Sequence, residues 1–169
     1  METPAWGLTI AYWLHMIATA VWIGGLAALG LFVLPAARKT LDTTAYAAFL
    51  IGLQRRFEPL GWFSLLILAG TGLFQMSASP NYQGFLSIEN RWAAAILIKH
   101  LVFIGMTLVS AYLTWGLLPE LRRLAMLHAR QDAAGDHLAR LEKRERRLLQ
   151  LNLALGIIIL ALTAVARAA

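Results

Sequence analysis

Long apolar runs, separated by short polar clusters, dominate the chain. Four of them are long enough to cross a bilayer as helices, which takes roughly 20 residues each: 6–34, 60–76, 92–118 and 148–165. Start and stop signals frame the runs. Thr3 and Pro4 form a cap followed by proline at the first helical position. Ser79, Pro80 and Asn81 stop the second run, and Asn90, Arg91 and Trp92 open the third at an interfacial aromatic residue. The pattern predicts an all-α integral membrane protein, an up-and-down four-helix bundle forming one domain over residues 1–169. Its helices are expected at about 4–35, 58–77, 91–130 and 137–167. Residues 121–131 extend the third helix, Ala134, Gly135 and Asp136 make a turn, and 137–147 lead into the fourth. The result is a charged helical hairpin outside the lipid, with His128 and His137 as ordinary solvated histidines.

Composition supports this reading. The 169 residues are 59 % apolar and only 14 % charged, against about a quarter charged in soluble domains. One soluble core of this size cannot bury that much apolar surface. With no cysteine in the chain, thiolate metal sites, Fe–S clusters and Cys nucleophiles are excluded. The net charge of +6 is a topology signal rather than a nucleic-acid footprint. Twelve Lys and Arg residues fall in 35–59 and 119–147, whereas the opposite side holds only Arg91 and Arg167. Positive-inside bias then places both long connections in the cytoplasm and both termini outside, in a bacterial-type inner membrane. The first apolar run lacks a basic leader segment and is followed directly by further spans, so it reads as a retained helix.

The informative residues are the polar ones inside the spans. An ionisable side chain there costs on the order of 2.5–3.5 kcal/mol, so it normally faces the bundle interior and serves a purpose. His15, Lys99 and His100 are such residues. His15 lies nine residues beyond Trp6 and His100 eight beyond Trp92, which places both imidazoles about 12–14 Å below the outer aromatic belt. On diagonal helices of a four-helix bundle, two imidazoles at one level suit the two axial positions of one haem b. Because Lys99 and His100 are about 100° apart around their helix, one faces the centre and the other a flank. Tyr12, Trp22, Gln75 and Arg91 join them as candidate cofactor-binding residues, and Lys99 is the candidate catalytic group for proton transfer. Copper is the alternative occupant, with Met16 and Met106 adding thioethers to His15 and His100.

A family resemblance rests on short motifs spread over nearly the whole chain. Leu14-His15 through Trp22-Ile23-Gly24-Gly25 resembles the opening of the CopD (copper resistance D) membrane domain and of the related HemJ-type protoporphyrinogen oxidases. Arg55-Arg56-Phe57 with Ala69-Gly70-Thr71-Gly72-Leu73 looks like their second helix. The segment 92–99 with its lysine is similar to their third, and Asn152 fits a position in the last. The resemblance implies a four-helix membrane domain. In the HemJ branch it implies haem b on His15 and a functional Lys99; in the CopD branch it implies copper uptake. Three functions are therefore expected. The first is a cytochrome-like protein for electron transfer or quinone-linked redox chemistry, in which a porphyrinogen oxidase is a subclass. The second is a copper transport or resistance protein, and the third a helical subunit of a larger membrane complex. Partners would be the bilayer, a quinone or porphyrin, and a second copy or larger assembly, but no nucleic acid.

Overall fold

A computed structural model describes residues 5–86, 88–128 and 135–168. Among these residues every regular element is helical: α1 (Ala5–Ala27), α2 (Leu34–Thr40), α3 (Thr43–Ser77), α4 (Arg91–Ala111), α5 (Leu118–His128) and α6 (Gly135–Arg167). Two π-helical turns, Ala28–Val33 and Tyr112–Leu117, join α1 to α2 and α4 to α5. Four continuous rods result, each long and apolar enough to cross a membrane. The first rod pairs with the second and the third with the fourth; the first also touches the fourth, and the second touches α5. The first and third rods therefore stand on the diagonal, as the up-and-down arrangement requires.

Several boundaries differ from expectation. The cap at Thr3 and Pro4 lies outside the described residues. The second helix starts at Thr43 rather than near 58, because the Asp42 carboxylate accepts from the Ala45 N–H at 2.8 Å and caps it. It then runs straight through Pro59. The fourth begins at Gly135, so Gly135 and Asp136 belong to its first turn. Asn90 caps α4 as its position suggests, accepting from the Ala93 N–H at 2.6 Å.

Pro35 sits inside the first rod instead of ending it, and Pro119 lies inside the third. A proline ring lacks an N–H and collides with the carbonyl four residues earlier. Here a widened turn precedes each one. The Leu34 N–H reaches back five residues to the Leu29 carbonyl, and the Leu118 N–H does the same to Leu113. The extra residue moves the offending carbonyl aside.

Large apolar side chains point outward along the spans. Phe32, Phe63, Leu66, Leu108 and Trp115 are all more than 60 % exposed, as a lipid-facing surface demands. The interior is narrow and small-sided near the tryptophan end, where Ala11, Ala18, Ala93 and Ala95 are buried. At the opposite, basic end it thickens into two leucine-rich clusters, Leu113, Leu117, Leu121 and Leu141, and Leu34, Ala37, Tyr46 and Leu50. Arg38 ties that end together. It donates to the Tyr46 hydroxyl at 2.9 Å, to the Glu145 carboxylate at 3.0 Å and to the Glu142 carbonyl at 3.3 Å. Burial, with Glu145 nearby, pushes the Tyr46 phenol up to about 12, and Arg38 offsets part of that rise.

Candidate functional site

On α4 the buried positions Ala95, Met106 and Ser110 recur at three-four spacing and form one interior stripe, while Ala93, also buried, lies on the face of His100 seven residues on. Lys99 falls on that stripe, and His100 lies about 100° away from it. The equivalent stripe of the first rod carries Ala11, His15, Ala18 and Trp22, with Ala11 and Ala18 buried. One sequence offset relates Ala11 to Ala95, His15 to Lys99, Trp22 to Met106 and Pro35 to Pro119. The same offset pairs His15 with Lys99, which lies within electrostatic range of it.

The His15 ring packs between rods. Its Nδ1 lies 2.8 Å from the Thr71 hydroxyl, and its Cε1 lies 3.6 Å from where a Cβ on Gly72 would stand. Thr71 donates its single hydroxyl proton to the Ile67 carbonyl at 2.5 Å. A hydroxyl has only one proton to give, so at this contact Thr71 accepts and His15 Nδ1–H donates. In the neutral ring the lone pair is then on Nε2. His100 reaches the same state by another route. Its Nδ1 stands 2.7 Å from the Ile96 carbonyl, which can only accept, so in a neutral ring the lone pair is again on Nε2. Locking one ring nitrogen as a donor fixes the tautomer and orientation of a histidine that uses the other as a ligand.

Other polar groups gather near His15. The Gln75 amide donates to the Ala11 carbonyl at 3.1 Å, Lys99 lies within electrostatic range of His15, and Arg167 lies within range of Lys99. The Arg167 guanidinium covers the Tyr12 ring at 5.3 Å. All four rods contribute, and no acidic residue occurs in the spans 6–34, 60–76, 92–118 or 148–165. Deeper in, the Trp22 indole N–H donates to Met106 Sδ at 3.4 Å across the diagonal. A Cβ on Gly61 would lie 2.9 Å from the Trp22 ring, so only glycine admits the indole there. Next to Met106, Asn152 donates to the Ser110 hydroxyl at 2.8 Å. The Asn152 side chain is 1 % exposed, and its Oδ1 has no partner among the described residues.

Other expected site residues lie elsewhere. Met16 is 63 % exposed on the lipid face, one position off the interior stripe. Arg91 lines an open cleft beside Asn81, Glu89 and Trp92. The His100 ring meets Phe85 edge-on at 5.3 Å, toward the 78–90 connection. His15 and His100 therefore face different neighbours. His137 Nε2 stands 3.5 Å from Glu120 across the hairpin, while the side chain of His128 is outside the described set. No cluster of three His, Cys, Asp or Glu residues able to hold a metal occurs among the described residues.

A family model, copper resistance protein D, matches residues 51–166. The chain belongs to the copper resistance protein D family. No curated protein and no solved structure matches it. The matched CopD region contains Thr71, Gln75, Lys99, His100, Met106 and Asn152, while His15 and Trp22 precede it. With its four apolar rods, this CopD-family chain is a multi-pass membrane protein related to copper resistance.

Proposed function

We propose that this CopD-family protein passes copper through its bundle, with the His15 Nε2 lone pair as the principal ligand. Copper is cargo in this reading. The observation that carries it is the His15–Thr71 hydrogen bond, which leaves a neutral imidazole with its bare nitrogen directed away from Thr71. Imidazole and thioether are the soft donors that suit Cu(I). They are spread over depth: His100 beside the connection at the tryptophan end, His15 on the interior stripe, and Met106 about 9 Å deeper than His100 along the same helix. The Lys99 ammonium opposes any cation held beside it, so residence at His15 is brief. Weak successive sites are what passage requires.

The test is Cu(I) competition against a coloured chelator, using the full chain in detergent, with His15→Ala and His137→Ala compared. Binding that weakens more than about tenfold in His15→Ala but not in His137→Ala supports the assignment. Equal copper affinity in both variants refutes it. An absorption spectrum of the same sample reads the haem alternative directly, because a Soret band that disappears in His15→Ala would return that reading to first place.

A further inference from the structure

Where the first rod meets α6 at the basic end, Gly30, Leu34, Pro35, Arg38, Lys39, Arg146 and Leu149 enclose a cavity of about 180 Å³. At ~30 Å³ of liquid volume per water, that is room for a phosphodiester headgroup. The floor is apolar, and the rim carries three cations. A Cβ on Gly30 would meet the Leu149 Cβ at 3.9 Å, so the two helices are closely apposed beneath the cavity. We infer that this cavity is a binding site for the phosphate of an anionic phospholipid.

Three observations point to that occupant. The cations are of two kinds. Arg38 is held in place by Tyr46 and Glu145, whereas Lys39 and Arg146 are exposed and enter no ion pair among the described residues. The acidic neighbours Glu142 and Glu145 face Arg38; Arg146 is one residue beyond Glu145 and about 100° around the helix from it. Two cations thus remain to meet an anion. Second, the cavity straddles Leu34, where the apolar span ends, from Gly30 one turn before it to Arg38 and Lys39 one turn beyond, the level at which lipid phosphates lie. Third, Leu31 and Phe32, next to Gly30, are 49 % and 69 % exposed, a surface along which acyl chains of the same lipid can run. Basic pockets between transmembrane helices recognise anionic headgroups by this combination. A soluble acidic peptide would have no use for the apolar floor and flank.

The test follows lipid binding by native mass spectrometry and thermal midpoint on the full chain in uncharged detergent. The probes are phosphatidylglycerol, phosphatidylcholine and inorganic phosphate. Phosphatidylglycerol is expected to bind and to raise the midpoint, and the exposed-site variant Lys39→Gln/Arg146→Gln to weaken that binding roughly 30-fold. The charge-keeping variant Lys39→Arg/Arg146→Lys should retain it, which separates lost binding from lost folding. Equal binding of phosphatidylcholine would overturn the proposal, and so would inorganic phosphate acting as strongly as the lipid. An equal loss in the pair Arg123→Gln/Arg140→Gln, neither of which lines the cavity, would replace a built site with diffuse attraction and overturn it as well.

Discussion

Arg38 and Lys99 are both cations within the rods of this protein, yet their surroundings have little in common. Around Arg38, at the basic end, stand Tyr46, Glu142 and Glu145, leucine clusters on both sides and a hydrogen bond for most of the guanidinium. Around Lys99, at the tryptophan end, stand an imidazole, a second cation in Arg167, alanines and glycines, and no acidic residue in any span. A fold has no need of the second arrangement. Charge without a counter-charge in a lipid-embedded interior is a cost that packing at the other end must offset. The basic end is built to hold the rods together; under the proposed function the tryptophan end is where copper is met.

Substitutions can break this contrast. The largest effect is expected at Arg38. Removing one partner of a buried ion pair leaves the other charge uncompensated and costs about 3–5 kcal/mol, and the Glu145 side chain is 4 % exposed. Reversible unfolding of Arg38→Ala in mixed micelles should show a loss of this size, whereas Lys99→Met should leave stability unchanged or raise it. A Lys99→Met protein that loses as much as Arg38→Ala would erase the distinction between the two ends.

The next effect concerns binding. Thr71→Val removes the acceptor that fixes the His15 tautomer, and loss of such a supporting partner typically costs 10–100-fold in metal affinity. Cu(I) competition should show that drop, with Thr71→Ser restoring most of it; an unchanged Thr71→Val would mean that the hydrogen bond is only a packing contact.

The smallest effect is at Tyr46. Tyr46→Phe deletes one hydrogen bond, worth about 1 kcal/mol. Its sign changes with pH. The unfolded phenol ionises from about 10 upward, while the folded one keeps its proton to about 12. Between those values the unfolded state has lost a proton that the folded state keeps, so native stability falls as pH rises. Melting curves from pH 9 to pH 12 should therefore fall less steeply for Tyr46→Phe than for the unaltered chain, and parallel curves would count against the burial of that hydroxyl.

Much of the architecture was legible in the chain. Four apolar runs, the Asn90 cap and the stop after Ser77 follow from local rules, because a membrane span must satisfy its own backbone. The run of the first rod beyond Pro35 and of the second through Pro59 was not legible. Local rules end the first helix at Pro35 and start the second beside Pro59, and only the finished structure reveals the widened turns ahead of Pro35 and Pro119. The site was half legible. Counting residues from Trp6 and Trp92 suggests a depth for His15 and His100, since rise per residue is constant. It says nothing of azimuth, which depends on which face is buried: Ala95, Met106 and Ser110 share the side of Lys99, and Ala93 that of His100. The Arg38–Glu145 pair was hidden for a related reason. Both residues lie in charge-rich stretches that read as solvated faces, and nothing local marks one carboxylate among several as buried.

The widened turn at Ala28–Val33 amounts to one residue inserted into an otherwise regular screw. Closing that turn to ordinary α pitch with every residue kept would swing everything that follows by about 100°. Arg38 would then point away from Tyr46 and Glu145, although no residue in the ion pair had been changed. The clamp at the basic end thus depends on a miscount in the thread several residues upstream, and a helix wound evenly through that point should come apart there first.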